Sequence, residues 1–160
     1  MQTRDAIKIG IDTAALVVGA YLDDLSDADM MKRPHPQCNH INWQVGHLIA
    51  SEHEMLDNFV PGGMPPLPEG FADRYKKESA HSDDPSRFAT KSDLMAAYKT
   101  QRDATLKALA QVSDADWEKE TGVSYAPNIA SIYTMQGGHW LMHCGQWVIL
   151  RRQLGKPVVI

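Results

Sequence analysis

The sequence predicts an all-α fold, a four-helix bundle forming a single domain over residues 1–160, and three observations predict it. Apolar residues recur at steps of three and four through most of the chain. No segment sustains the apolar–polar alternation of a half-buried strand. Two loops rich in proline, glycine and aspartate cut the periodic stretches into pieces of helical length.

The first stripe reads Ile7, Ile11, Ala14, Val18, Leu22, Leu25, which places one apolar face on one helix. "LSDADMMKRPHPQCN" ends it, because Pro34 and Pro36 exclude a continuous helix. A second helix starts at Asn39 or Asn42, both favourable N-cap residues, and runs through "INWQVGHLIASEHEMLDNFV". It stops at "PGGMPPLPEG", which has four prolines and three glycines, and Pro61 to Ala89 is read as a long irregular connection of the kind that carries function. Thr90 and Asp93 form a capping-box pattern for a third helix reaching about Val112, with stripe Leu94, Ala97, Gln101, Ala104, Ala108, Val112. A second loop, "SDADWEKETGVSYAPN", follows. The last helix begins near Asn128 and stops at Gly155, with Arg151 and Arg152 complementing its C-terminal dipole.

Composition bounds the function classes. Apolar residues make up 43% and charged residues 22% of the 160 residues, the balance of a folded soluble domain. Such a length buries roughly 70% of the unfolded surface without staples. The net charge is −4 with Lys and Arg scattered, which argues against a nucleic-acid partner, since that requires a basic stripe. The two cysteines, Cys38 and Cys144, make no CxxC motif or disulfide framework, so a reducing compartment is expected. The stretch "MQTRDAIKIGIDTAALVVGAYLDD" lacks a basic leader ahead of an apolar run, and no span of about 20 apolar residues occurs. A cytoplasmic protein with no membrane partner is the expectation.

The chemistry gathers in "GGHWLMHCGQW", residues 137–147, which sets His139 and His143 four apart. At that spacing two imidazoles share a helix face and can converge on one cation. Seven histidines in 160 residues would give about 0.3 such pairs by chance, so spacing alone does not decide between ligands and hydrogen-bonded core residues. Ile132, Met135, Trp147 and Leu150 share that face and turn it inward. The third candidate is His47 in "INWQVGHLIASE". Three histidines from two helices would leave a metal centre with open positions.

These residues carry a resemblance. "INWQVGHLIASE" followed by "GGHWLMHCGQWVILRRQLGKP" is similar to the DinB/YfiT-like metalloenzyme family, whose pattern is an aromatic residue and "GHL" on the second helix, then H-x3-H-x-GQ leading into "RRxLGKP". The resemblance implies a bundle in up-down-down-up order, commonly a homodimer, binding zinc, nickel or a similar divalent ion through His47, His139 and His143. It also implies a thiol-dependent S-transferase that uses a low-molecular-weight thiol as cosubstrate, or a hydrolase, acting on a small-molecule substrate. The alternative is a non-catalytic, stress-associated metal-binding bundle.

The neighbouring residues divide into candidates and bystanders. Glu54, seven residues after His47 on the same face, is the candidate general base or imidazole partner, and equally a surface ion-pair residue. Trp43, Gln146 and Arg151 are the candidate substrate contacts, although dipole complementation alone accounts for the arginine. "HEMLD" lacks the second histidine of a zincin motif and reads as helix surface. Cys144 points away from its neighbour His143. His35, His40 and His81, in or beside loops, are expected to be solvated. Gly137 and Gly138 each cost about 1 kcal/mol in a helix, which close helix approach, or room beside His139, would repay.

Overall fold

The computed structural model describes residues 1–158. Its long helices are α1 (Thr3–Leu22), α3 (Ile41–Asp57), α5 (Lys91–Gln111) and α6 (Ile129–Gln153), with single turns α2 (Asp27–Met30) and α4 (Phe71–Arg74) in the connections. The protein is predominantly helical, and no described helix is long and apolar enough to cross a membrane.

The expected stripes are buried. Ile7, Ile11, Ala14 and Val18 line the inner face of α1, and Leu94, Ala97, Gln101 and Ala108 line that of α5. Thr90 caps α5 by accepting from Asp93 N at 3.2 Å, and Asn128 caps α6 by accepting from Ser131 N at 3.0 Å. Gly155, at φ +68°, closes α6 in the left-handed conformation that glycine adopts cheaply.

Two features depart from expectation. The loop between α5 and α6 holds a small antiparallel hairpin, β1 (Glu120–Val123) with β2 (Ala126–Asn128). Strands this short, with Gly122 at positive φ inside one of them, are too brief to print an alternating pattern. The N-cap of α3 is neither asparagine but His40, fully buried rather than solvated. Its Nδ1 accepts from Trp43 N at 3.0 Å, so the proton sits on Nε2, which donates to Ser82 O at 3.2 Å.

The long connection is pinned to α3. The Tyr75 ring lies flush on Gly46, where a Cβ would stand 2.2 Å from it. Tyr75 Oη donates to Asn42 Oδ1 at 3.1 Å and accepts from Ala89 N at 3.0 Å, and Trp43 Nε1 donates to Ser79 Oγ at 3.0 Å.

Across the core, Glu52 of α3 is 2% exposed. Its carboxylate pairs with Arg102 Nη2 at 2.8 Å and accepts from Thr105 Oγ1 at 2.6 Å and Trp140 Nε1 at 3.1 Å. Burial pushes the carboxyl upward, against the pull of these three donors.

α1 packs most extensively against α6, and the two backbones meet at Gly10 and Gly137. A methyl at Gly137 would stand 2.8 Å from Gly10 O, whereas one at Gly138 meets nothing within 4 Å. Gly137→Ala should therefore destabilise the protein by about 1–3 kcal/mol through forced helix separation. Gly138→Ala should stabilise it by up to about 1 kcal/mol. Urea unfolding of the two variants checks the contrast, and equal effects would mean the helices do not touch there.

Candidate metal centre

His47 projects from α3, and His139 and His143 project from adjacent turns of α6. One ring nitrogen from each lies within 4.8 Å of the other two. Ring centroids are 5.5 Å apart for His47–His139, 6.0 Å for His47–His143 and 5.2 Å for His139–His143. Imidazole nitrogens on a tetrahedral ion, each bound at about 2.0–2.1 Å, stand about 3.4 Å apart, so side-chain adjustments of about 1 Å close the set.

The electrostatics fit a cation. Burial holds all three imidazoles below the usual histidine value, and the mutual repulsion of their charged forms adds to it at His139 and His143. His143, the most buried, is lowered to about 4. At neutral pH the three are uncharged bases, the form a metal requires. The charge of Glu54 pulls His47 upward against its burial.

Each ring is held differently. Trp43 stacks on His47, with centroids 4.9 Å apart and planes 5° from parallel. His143 Nδ1 donates to Gln44 Oε1 at 2.9 Å, which leaves the ring's lone pair on Nε2. That bond tests the fit of the donor set. The nitrogen facing the protein is the protonated one, as in imidazole ligands whose far nitrogen is hydrogen-bonded.

The remaining candidates fall in different places. Glu54 is exposed on the rim of a depression of about 470 Å³ beside His47, whose other walls include Leu67, Tyr75, Lys76 and Lys77 of the long connection. Gln146 is half-buried, accepting from Gln44 Nε2 at 3.3 Å. Trp43 is 6% exposed and commits its indole N–H to Ser79, so it meets the site through its ring face.

Arg151, expected to meet a substrate carboxylate, is fully buried instead. It pairs with Asp24 Oδ1 at 2.5 Å and donates to Tyr21 O at 2.8 Å and Pro157 O at 2.9 Å. Its guanidinium is spent on tying α1 and the chain after α6 together, two turns beyond His143. Cys144 is core, where burial raises its thiol to about 12, and it is not in the cluster that His47, His139 and His143 form.

Sequence reasoning missed two polar residues. Glu52 sits on the apolar face shared by Ile41, Val45, Leu48, Ile49 and Leu56, and a carboxylate in that register was the available signal. Gln44, buried and three residues before His47, was the other.

The DinB superfamily matches residues 13–147, a span that contains all three histidines, and the chain belongs to that superfamily. No curated protein and no solved structure matches it.

His40 and His143 are both held at about 4 by burial. In the unfolded chain they ionise near 6.5, so below that pH the unfolded state binds protons that the native state refuses. Stability of the metal-free protein should fall as pH drops from about 6.5 toward about 4, and these groups contribute no slope above pH 7. Urea titrations at pH 7.5, 6 and 5, with and without His40→Ser, measure it. An unchanged pH slope in the variant would show that His40 titrates normally.

Proposed function

We propose that this DinB-superfamily chain is a metal-dependent enzyme in which His47, His139 and His143 hold one divalent ion, zinc or nickel. What carries the reading is the convergence of three uncharged imidazoles from two helices within 4.8 Å, one of them already oriented by a buried amide. When bound, such an ion is a Lewis acid that lowers the pKa of a coordinated water or thiol toward neutrality.

The chain's own residues supply the rest. Glu54, exposed beside His47, is placed to accept a proton from an incoming nucleophile. The depression walled by Leu67, Tyr75, Lys76 and Lys77 admits a small molecule, and Gln146 lies one turn beyond His143. Trp43 keeps the His47 ring from turning away. Thiol transfer, with a low-molecular-weight thiol as cosubstrate, is the preferred reaction, ahead of hydrolysis.

We read the four long helices as one domain in up-down-down-up order, acting in the cytoplasm as a homodimer. Ile9 and Leu16 on α1, and Met142 and Ile149 on α6, support the dimer. Each pair is seven residues apart, hence on one face, and their exposures are 57%, 67%, 60% and 49%.

Elemental analysis of wild type beside His47→Ala and His143→Ala is the direct test. Wild type should carry about one ion per chain, and each variant should lose affinity at least tenfold, as loss of one of three ligands requires. Equal loading of all three proteins, or none in any, would remove the proposal's basis. Retained helicity after chelation separates this site from a purely structural ion.

A further inference from the structure

We propose that Gln44 is the positioning residue of the three-histidine site: its side-chain amide fixes the tautomer and ring orientation of His143, so that this one ligand is set before any ion arrives. The inference rests on the metal reading above and assigns a role within it to a residue that is not itself a ligand.

The amide can point only one way. The Trp147 indole N–H, which can donate but never accept, lies 2.9 Å from Gln44 Oε1. On the other side Gln44 Nε2 lies 2.7 Å from the backbone oxygen of Asn39, which can only accept, and 3.3 Å from Gln146 Oε1. Rotating the amide by half a turn would set donor against donor at Trp147 and acceptor against acceptor at Asn39. Each mismatch in a buried site costs about 1–3 kcal/mol, and Gln44 is 1% exposed.

With Oε1 so fixed, the His143 contact at 2.9 Å is determined. Nδ1 must carry the hydrogen, and Nε2 must carry the lone pair, which leaves it as the nitrogen open to a metal. A residue of opposite polarity at position 44 would leave His143 free to protonate Nε2, the nitrogen the site needs bare.

The support is asymmetric. Among the described residues, no hydrogen bond reaches a ring nitrogen of His47 or His139. His47 is held by stacking on Trp43, which fixes the ring plane but not the tautomer. The site therefore has one anchored ligand and two adaptable ones, and the chain Trp147–Gln44–Asn39 is the anchor.

Two measurements test this. In metal-free wild type at pH 7.5, nitrogen-15 NMR of the histidine rings should show His143 as the Nδ1–H form and His47 and His139 as tautomer mixtures. Gln44→Leu, which keeps the volume, should release His143 into a mixture and weaken zinc binding 10–100-fold in competition with a chromophoric chelator. Trp147→Phe removes the indole N–H together with part of the buried ring but leaves Gln44 Nε2 on the Asn39 carbonyl, so His143 should remain mainly the Nδ1–H form and zinc binding should weaken less than in Gln44→Leu. An Nε2–H tautomer at His143 in wild type overturns the role of Gln44 whatever the zinc result, and so does equal loss of zinc in Trp147→Phe and Gln44→Leu. Absence of zinc from a wild type that does show the Nδ1–H form overturns the metal reading instead.

Discussion

A carboxylate can sit in this core only because two other helices bring it donors, and that requirement sets the register of the molecule. Glu52 on α3 takes one from Arg102 and one from Thr105 on α5, and a third from Trp140 on α6. Sliding α3 along α6 by one turn would strand the charge, and breaking such a pair costs about 3–5 kcal/mol. Trp140 follows His139 directly, and Glu52 lies five residues beyond His47. The lock that satisfies Glu52 is thus also what brings His47 level with the histidine pair. Apolar packing alone tolerates small slips, whereas hydrogen bonds to a buried charge do not.

The same economy appears at the other end of α3. His40, Asn42, Trp43 and Gln44 are consecutive or nearly so, and each is buried with its polar atoms spent on the loop, the cap or the site. The first turn of α3 thereby welds the irregular connection from Pro61 to Ala89 to the helix that carries His47. Tyr75 completes the weld by lying on Gly46, a contact that only a residue without Cβ permits. The wall of the depression beside His47 belongs to that connection, so its shape is set by side chains one turn from the ligand.

Periodicity made the long helices legible, because Ile7 through Val18 and Leu94 through Ala108 are buried for the reason they recur. The caps at Thr90 and Asn128 and the stop at Gly155 were readable from local chemistry, and the three histidines from their spacing and setting. What escaped was tertiary. His40 resembles a loop histidine in sequence, and only the fold shows Ser82 and Phe88 closing over it. Arg151 resembles a dipole-complementing end residue, yet Asp24 is far off in sequence and reaches it through α1. Gln44 and Glu52 are single polar letters on apolar faces, and apart from Asn39 their partners lie between about fifty and a hundred residues away. The hairpin at 120–128 is too short for a period to register.

The donor set itself bears on whether the proposed ion is open or structural. Structural zinc sites are closed by four ligands and commonly include thiolates. Neither cysteine joins the cluster of His47, His139 and His143, and Cys144 is packed into the core. Three imidazoles bring no charge, so a divalent ion among them keeps its full Lewis acidity. The carboxylate whose charge reaches His47 is Glu54, exposed on the rim, while Asp57 is committed to Met64 N at 2.7 Å and Asp73 to Lys76 at 2.5 Å. A neutral cradle of three ligands, one of which, His47, lines a depression, favours capture of an electron-rich group from solvent over closure by the protein. It is this imbalance, more than the histidine count, that makes catalysis the better reading of the site.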